Sequence, residues 1–307
     1  MTALMEQLVS YFVLMAIGFI LVKTGVLKSS DSNILSKITV YLILPCTIIQ
    51  AFQIESTPEK TKGLILAFAV AIGVHIVAIA FIGVLGRIFH MNGVEKASII
   101  YTNSGNMIIP LITAMFGEEW VLYSSAFIAV QLIFLWTHGK AVICEDRSLN
   151  IKKILLNINV IAIAIGIILY ATGIQLPGVV HTVMSSASAM LMPAGMLVLG
   201  MLFTELDWKK IFADKRLYLM TALRMLVLPA LILTLITCLH LKDLVPDGRT
   251  IMLISFLATL TPVAVTVTQI TQVYGQDANE ASALNLMTTI VSIATIPLFV
   301  WLYQLIN

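Results

Sequence analysis

Charged residues are scarce in this sequence of 307 residues, of which 11 % are charged and 59 % are hydrophobic. A soluble domain of this length normally has about a quarter of its residues charged. The deficit runs along the whole chain, so it leaves no stretch that reads as a separate soluble domain. The net charge of +2 is small and the basic residues are dispersed, which argues against a nucleic-acid partner.

Cysteine is also rare, with Cys46, Cys144 and Cys238 far apart along the chain. Their number is odd and their spacing is not that of metal ligands, so we predict neither a disulfide nor a zinc site. The sequence contains no visible catalytic nucleophile, paired carboxylate, phosphate-binding loop or metal cluster. We therefore expect no enzyme activity, no cofactor and no bound metal.

Long apolar runs make up most of the sequence. A bilayer core about 30 Å thick needs about 20 apolar residues for each helical crossing. Glu6 precedes the first run and Lys23 follows it, which is typical of a retained helix and not of a secretory signal. The sequence predicts an all-α membrane protein with ten transmembrane helices, at roughly 8–22, 34–54, 63–86, 97–116, 120–143, 154–173, 179–203, 216–239, 250–273 and 281–305.

Lysine and arginine are concentrated in the connections after predicted helices 1, 3, 5 and 7. Because basic residues favour the cytoplasmic side, we expect both termini outside and the charged loop 144–153 in the cytoplasm.

An internal repeat divides the chain into two five-helix halves, 1–149 and 150–307. Because five is an odd number, the second half would be inverted, a recurrent plan among secondary transporters. Residues align without a gap at an offset of 148, and later at an offset of 158. The aligned pairs include Gly18 with Gly166, Thr24 with Thr172, Gly25 with Gly173, Pro45 with Pro193, and Gly117 with Gly275.

Predicted helices 4 and 9 carry polar, proline-containing segments at equivalent repeat positions. In helix 4 the poor helix formers Asn103, Ser104, Gly105 and Asn106 are followed by Pro110. At the offset of 158, Pro262 lies opposite Ser104. We therefore expect both helices to be broken and to cross near the membrane midplane, where inverted-repeat transporters bind their substrates.

Each break would expose a helix N-terminus that attracts anions. We expect Asn103 or Asn106 to donate to a small organic carboxylate, with Asn106 the stronger donor unless the unwound turn points Asn103 inward. A proline kink satisfied by its neighbours is the structural alternative. The remaining predicted contacts are Thr261, Pro262, Thr266 and Gln269.

Few ionisable residues lie within the predicted helices. His75 is either a hydrogen-bonded structural residue or a proton site, and Arg224 either pairs with an anionic substrate or extends to the cytoplasmic interface. Gln131 and Asn285 favour helix-to-helix hydrogen bonds over ion coordination. No aspartate or glutamate falls inside a predicted helix, which disfavours sodium/proton antiport and suits an anion.

The sequence resembles the auxin efflux carrier (AEC) family, which includes plant PIN proteins and bacterial carriers of malate or malonate. The resemblance covers nearly the whole chain, although the loop between helices 5 and 6 is far shorter than in many PIN proteins. It is carried by Gly18–Val26, Leu44–Pro45, Asn103–Leu111, Met192–Gly200, Thr261–Pro262, Tyr274–Ser282 and Met287–Leu298.

This resemblance implies a scaffold of helices 1, 2, 6 and 7 and a moving domain of helices 3–5 and 8–10. It also implies a substrate carboxylate bound by Asn103 or Asn106, with crossover prolines near Pro110 and at Pro262. The short loop favours a compact carrier of small organic anions in the plasma membrane, with proton or sodium coupling and a homodimer left open. The alternatives are an auxin-like efflux carrier, a sodium-coupled symporter, a channel and a non-transporting sensor.

Overall fold

The computed structural model describes residues 2–144, 152 and 156–307, which form helices joined by short connections. Most of the predicted loop 144–153 lies outside the described residues. The helices are labelled here in chain order. They are α1 (Thr2–Lys23), α2 (Ser29–Ala51), α3 (Pro58–Ile88), α4a (Gly93–Ile100), α4b (Ser104–Phe116), α5 (Glu118–Cys144), α6 (Ile158–Thr172), α7 (Gly178–Glu205), α8 (Lys215–Cys238), α9a (Gly248–Leu260), α9b (Val265–Val273) and α10 (Ala278–Ile306).

Seven of these helices are long and apolar enough to cross a membrane: α1, α2, α3, α5, α7, α8 and α10. Three further apolar helices are shorter, namely α4b, α6 and α9a. Length and composition therefore give an all-helical protein with seven candidate spans.

Backbone conformations at the helix ends repeat along the chain. Among the described residues, those with positive φ form three pairs, and two of these pairs have the offsets of the sequence repeat. A positive φ is typical of the residue that ends a helix, where glycine is favoured. The pairs are Gly25 with Gly173, Gly117 with Gly275, and His90 with His240.

Several helices begin earlier than the sequence predicts, and this corrects the expectation that no acidic residue lies inside a helix. The earlier starts bring in Glu6 of α1, Asp31 of α2, Glu59 of α3, Glu95 of α4a, Glu118 and Glu119 of α5 and Glu280 of α10. In α4a and α10 the cause is N-capping, since Asn92 accepts from the amide of Glu95 at 2.8 Å and Asp277 accepts from the amide of Glu280 at 3.0 Å. Capped first turns are polar, so a search for apolar runs misses them.

Glu95 is buried, with 1 % of its side chain exposed, and forms an ion pair with Arg216 at the start of α8. The starts of three helices are linked there. Arg216 of α8 pairs with Glu95 of α4a, and Asn92, which precedes α4a, donates to the carboxylate of Glu280 in α10 at 2.9 Å. This cluster lies at the helix starts, away from the interrupted segments described below.

Glycine allows α1 and α7 to pack backbone against backbone. A Cβ atom on Gly200 of α7 would lie 1.9 Å from the carbonyl oxygen of Met15 in α1. A Cβ on Gly18 of α1 would lie 2.4 Å from the carbonyl oxygen of Leu197 in α7. Close approach through small residues is how membrane helices commonly associate.

Gly200→Ala is therefore expected to destabilise the protein by at least about 2 kcal/mol, because a backbone atom cannot yield as a side chain can. Gly83→Ala in α3 is the matched control, since nothing lies within 4 Å of a Cβ there. The control should be stabilising by about 0.5–1 kcal/mol through helix propensity. Thermal unfolding of the purified protein in detergent measures both, and equal effects would contradict the packing argument.

Candidate functional site

Both helices that the sequence predicts to be broken are interrupted, and the interruptions pair with each other. Three residues separate α4a from α4b, and four separate α9a from α9b. The amide of Asn103 donates to the carbonyl of Pro262 at 2.8 Å, and the amide of Ala264 donates to the carbonyl of Tyr101 at 3.1 Å. Residues 101–103 and 261–264, called here the crossover, form an antiparallel contact.

Gln131 of α5 satisfies the backbone of the first interruption. Its side-chain oxygen accepts from the amide and the hydroxyl of Thr102 at 3.1 and 2.7 Å. Its side-chain nitrogen donates to the carbonyl of Thr102 at 2.8 Å and to the hydroxyl of Ser104 at 2.9 Å. One glutamine thus replaces the bonds that a continuous helix would supply at this residue.

Two residues of α10 do the same for the second interruption. Asn285 donates from Nδ2 to the carbonyl of Val263 at 2.8 Å, and the hydroxyl of Thr288 accepts from the amide of Val263 at 3.2 Å. We predicted interhelical hydrogen bonds for Gln131 and Asn285. The structure agrees, and it shows that the partners are the unwound backbone of the crossover.

The unwound residues differ from those predicted. Ser104, Gly105 and Asn106 form the first turn of α4b, where free amides are normal and poor helix formers are tolerated. Pro110 lies inside α4b, more than a turn beyond the crossover, so its assignment as a crossover proline is wrong. Pro262 does lie in the crossover, where its carbonyl accepts from the amide of Asn103.

The two asparagines differ sharply in their surroundings. Asn103 is buried at 3 % exposure, and its Nδ2 donor has no hydrogen-bond partner among the described residues. Its oxygen accepts from Nδ2 of the half-buried Asn106 at 3.1 Å. No side chain caps the start of α4b, so free backbone amides and a free buried amide nitrogen lie together there.

The other predicted site residues lie in the second segment of the crossover and on α9b, which follows it. Thr261 is buried and its hydroxyl donates to the carbonyl of Ala258 at 3.0 Å. Thr266 and Gln269 are half-buried on α9b, three residues apart, and so share one face of that helix.

Arg224 of α8 does not extend to an interface, because it is fully buried. Its Nη1 donates to the carbonyl of Thr259 at 2.8 Å, and its Nη2 donates to the carbonyl of Thr261. Both carbonyls belong to the C-terminal end of α9a, where the last carbonyls lack partners within the helix. The guanidinium group therefore caps a helix end at the crossover.

His75 of α3 is buried in an aromatic environment. Its ring stacks on Phe134 with centroids 5.4 Å apart, and Nδ1 lies 2.7 Å from the carbonyl of Ala71. The carbonyl partner assigns the proton to Nδ1, which leaves Nε2 as a buried acceptor with no hydrogen-bond partner in residues 2–144, 152 and 156–307. These contacts fit the structural interpretation of His75, and none of them tests a proton-carrying role.

A cleft of about 460 Å³ is lined by apolar and polar residues, including the titratable Glu118, Glu119 and His181. Ile109, Pro110 and Thr113 line the cleft from one face of α4b, and Asn106 continues that face one turn deeper. A Cβ on Gly195 of α7 would lie 3.4 Å from Cβ of Asn106, which marks the inner end of this face.

The opposite wall of the cleft was missed by the sequence reasoning. It carries polar residues from α1, α2, the segment after α2, and α7, which look like ordinary membrane-helix hydrogen bonders in the sequence. That they line one cleft becomes visible only when the helices pack. These residues are Gln7, Thr47, Gln50, Gln53, His181, Ser185 and Ser188.

Comparison with protein families gives one description for nearly the entire chain. The family model "Membrane transport protein" matches residues 3–152 and again residues 147–300. Comparison with curated proteins gives no match.

Proposed function

The chain belongs to the auxin efflux carrier (PIN-like) family of membrane transport proteins, and from this premise we propose that it carries small organic anions, carboxylates such as malate or malonate. It is an integral membrane protein and a transporter. The observation that carries the proposal is the Nδ2 of Asn103, which is buried at the start of α4b and has no hydrogen-bond partner within the part of the chain that the structure describes.

The donors at the crossover suit a carboxylate. An anion that leaves water loses several kcal/mol of hydration and must recover it from the protein. A helix N-terminus contributes up to about 2 kcal/mol in partly buried geometry, and a charge-assisted hydrogen bond adds about 1.5–3 kcal/mol. Asn103, Asn106 and the first amides of α4b together supply such contacts to an oxygen anion.

The proposed fold is ten membrane crossings in two inverted repeats, with both termini outside the plasma membrane. The paired positive-φ residues support the duplication. The shorter helices fit as well, because α4a and α4b in series, or α9a and α9b, have about the length of one crossing at 1.5 Å per residue.

The proposed mechanism is an elevator movement of one domain against the other. Helices α1, α2, α6 and α7 would form the scaffold, and α3–α5 with α8–α10 would form the transport domain. Packing supports this division: a Cβ on Gly166 of α6 would clash with Phe52 beside α2, and a Cβ on Gly63 of α3 would clash with Tyr123 of α5. Between the two groups, the hydroxyl of Tyr11 donates to the carbonyl of Met107 at 2.9 Å.

Uptake into proteoliposomes tests the proposal. A panel of mono- and dicarboxylates is offered with and without imposed proton or sodium gradients, which also identifies any coupling ion. We expect saturable uptake of at least one carboxylate, with counterflow from preloaded vesicles. Flux that does not saturate would indicate a channel, and tight binding without flux would indicate a sensor; either result contradicts the proposal.

A further inference from the structure

Arg224 is a buried cation that pairs with no carboxylate of the described residues. It lies in a π-helical segment of α8, Leu223–Val227, shortly before Pro229. A π-helical turn inside a helix is uncommon and frequently marks a functional position. Both described hydrogen bonds of the guanidinium go to carbonyl oxygens of Thr259 and Thr261, and its Nε has no partner among the described residues.

Arg224 lines a small cavity beside the crossover. The one other titratable side chain among the described residues that line it is His75, whose free Nε2 is a neutral acceptor. The described lining includes no carboxylate, so the positive charge of Arg224 is not cancelled there.

Four helix ends meet at the crossover, and their dipoles oppose each other. The C-terminal ends of α4a and α9a carry partial negative charge, and the N-terminal ends of α4b and α9b carry partial positive charge. Without further charge the four contributions would roughly cancel. Arg224 caps the end of α9a with a full positive charge, whereas the neutral Gln131 serves the chain beyond α4a.

We propose that Arg224 sets the charge preference of the crossover by overriding the negative end of α9a, so that the binding position is positive without a cation touching the substrate. Arg224 acts through the peptide groups next to Pro262, whose carbonyl accepts from the amide of Asn103. It is a positioning and specificity residue. The inference rests on the proposed function, because it explains the preference for anions, but its test needs no knowledge of the substrate.

The test measures the electrostatic potential at the crossover with a cysteine. Cys46, Cys144 and Cys238 are replaced by alanine, and Asn106→Cys introduces a thiol at the half-buried inner end of the α4b face. Anionic and cationic methanethiosulfonate reagents are then compared by their reaction rates. Thr113→Cys, exposed on the same face two turns away, is the control position.

The ratio of the anionic rate to the cationic rate should fall by about tenfold or more in Arg224→Gln, as expected for the loss of one unit charge acting within roughly 10 Å in protein. Arg224→Lys should keep most of the ratio because it keeps the positive charge, although lysine lacks the guanidinium group that donates to the carbonyls of both Thr259 and Thr261. The ratio at the control position should change much less.

A second variant covers the case in which Arg224→Gln does not fold. His75→Glu leaves Arg224 in place and adds a negative charge to the same cavity, with His75→Gln as its neutral control. The ratio should fall in His75→Glu and stay in His75→Gln. An unchanged ratio in Arg224→Gln or His75→Glu, or a thiol at position 106 that reacts with neither reagent, overturns the proposal. Failure of carboxylate uptake with a falling ratio would refute only the proposed substrate.

Discussion

Gln131→Leu is expected to destabilise the protein by about 2–6 kcal/mol, since each of the two buried backbone groups left without a partner costs about 1–3 kcal/mol. The substitution removes the partners of both the amide and the carbonyl of Thr102. Leucine has nearly the same volume as glutamine, so the loss is of hydrogen bonds and not of packing.

The same change should abolish transport even where the protein still folds. Gln131 also holds the hydroxyl of Ser104, the first residue of α4b, and so fixes where that helix begins. Without it the interruption can shift, and the donors at the start of α4b lose their positions relative to Pro262. Asn285→Leu should have a smaller effect on stability, because it removes one bond to Val263 while Thr288 keeps the other.

Thermal unfolding in detergent and carboxylate uptake in proteoliposomes measure these effects. Gln304→Leu on the exposed end of α10 is the matched control, because its side chain lies at the surface. The expected order of destabilisation is Gln131→Leu, then Asn285→Leu, then the control. A Gln131→Leu protein as stable and active as the control would show that the crossover does not depend on this residue.

The crossing of the two interrupted helices could be predicted from the sequence because its signal is local. Poor helix formers around Asn103 and a proline at Pro262 stand out within apolar helices, and the repeat brings them into correspondence. The residues that unwind could not be predicted in the same way. They depend on partners such as Gln131, which is 29 residues away along the chain from Thr102.

Arg224 illustrates the same limit for a charged residue. Its sequence position allowed either pairing with an anionic substrate or extension to the cytoplasmic interface. Neither interpretation considered a hydrogen-bonding role inside the protein. Its partners are carbonyls of Thr259 and Thr261, 35 and 37 residues away. A helix end that needs capping inside the protein becomes visible only once α8 packs against α9a.

The structure also changes the order expected for the two asparagines. From the sequence alone, Asn106 was the stronger donor unless the unwound turn pointed Asn103 inward. Asn103 is in fact the buried residue, and its Nδ2 donates to none of the described residues, whereas Nδ2 of Asn106 already donates to Asn103. Substrate affinity should therefore depend more on Asn103, with Asn106 holding its amide in orientation.

Asn103→Ala should weaken carboxylate binding by about tenfold to a hundredfold, because a hydrogen bond to a charged group is worth about 1.5–3 kcal/mol. It should not weaken folding comparably, since the free Nδ2 makes no bond within the described residues and the main-chain bond to Pro262 remains. Asn106→Ala should cost less affinity, because it loosens the orientation of Asn103 without removing the donor.

Binding of the best carboxylate from the uptake panel, measured by calorimetry in detergent, decides between the two asparagines. Asn103→Asp is the sharpest comparison, because it keeps the shape of the side chain and replaces the donor with a negative charge. It should bind the carboxylate more weakly than Asn103→Ala does, since like charges repel strongly in a buried site. Asn33→Ala, at an exposed position of α2, is the matched control and should bind as the unsubstituted protein does. If Asn103→Asp bound the carboxylate as tightly as the unsubstituted protein, the anion would have to lie elsewhere than at the start of α4b.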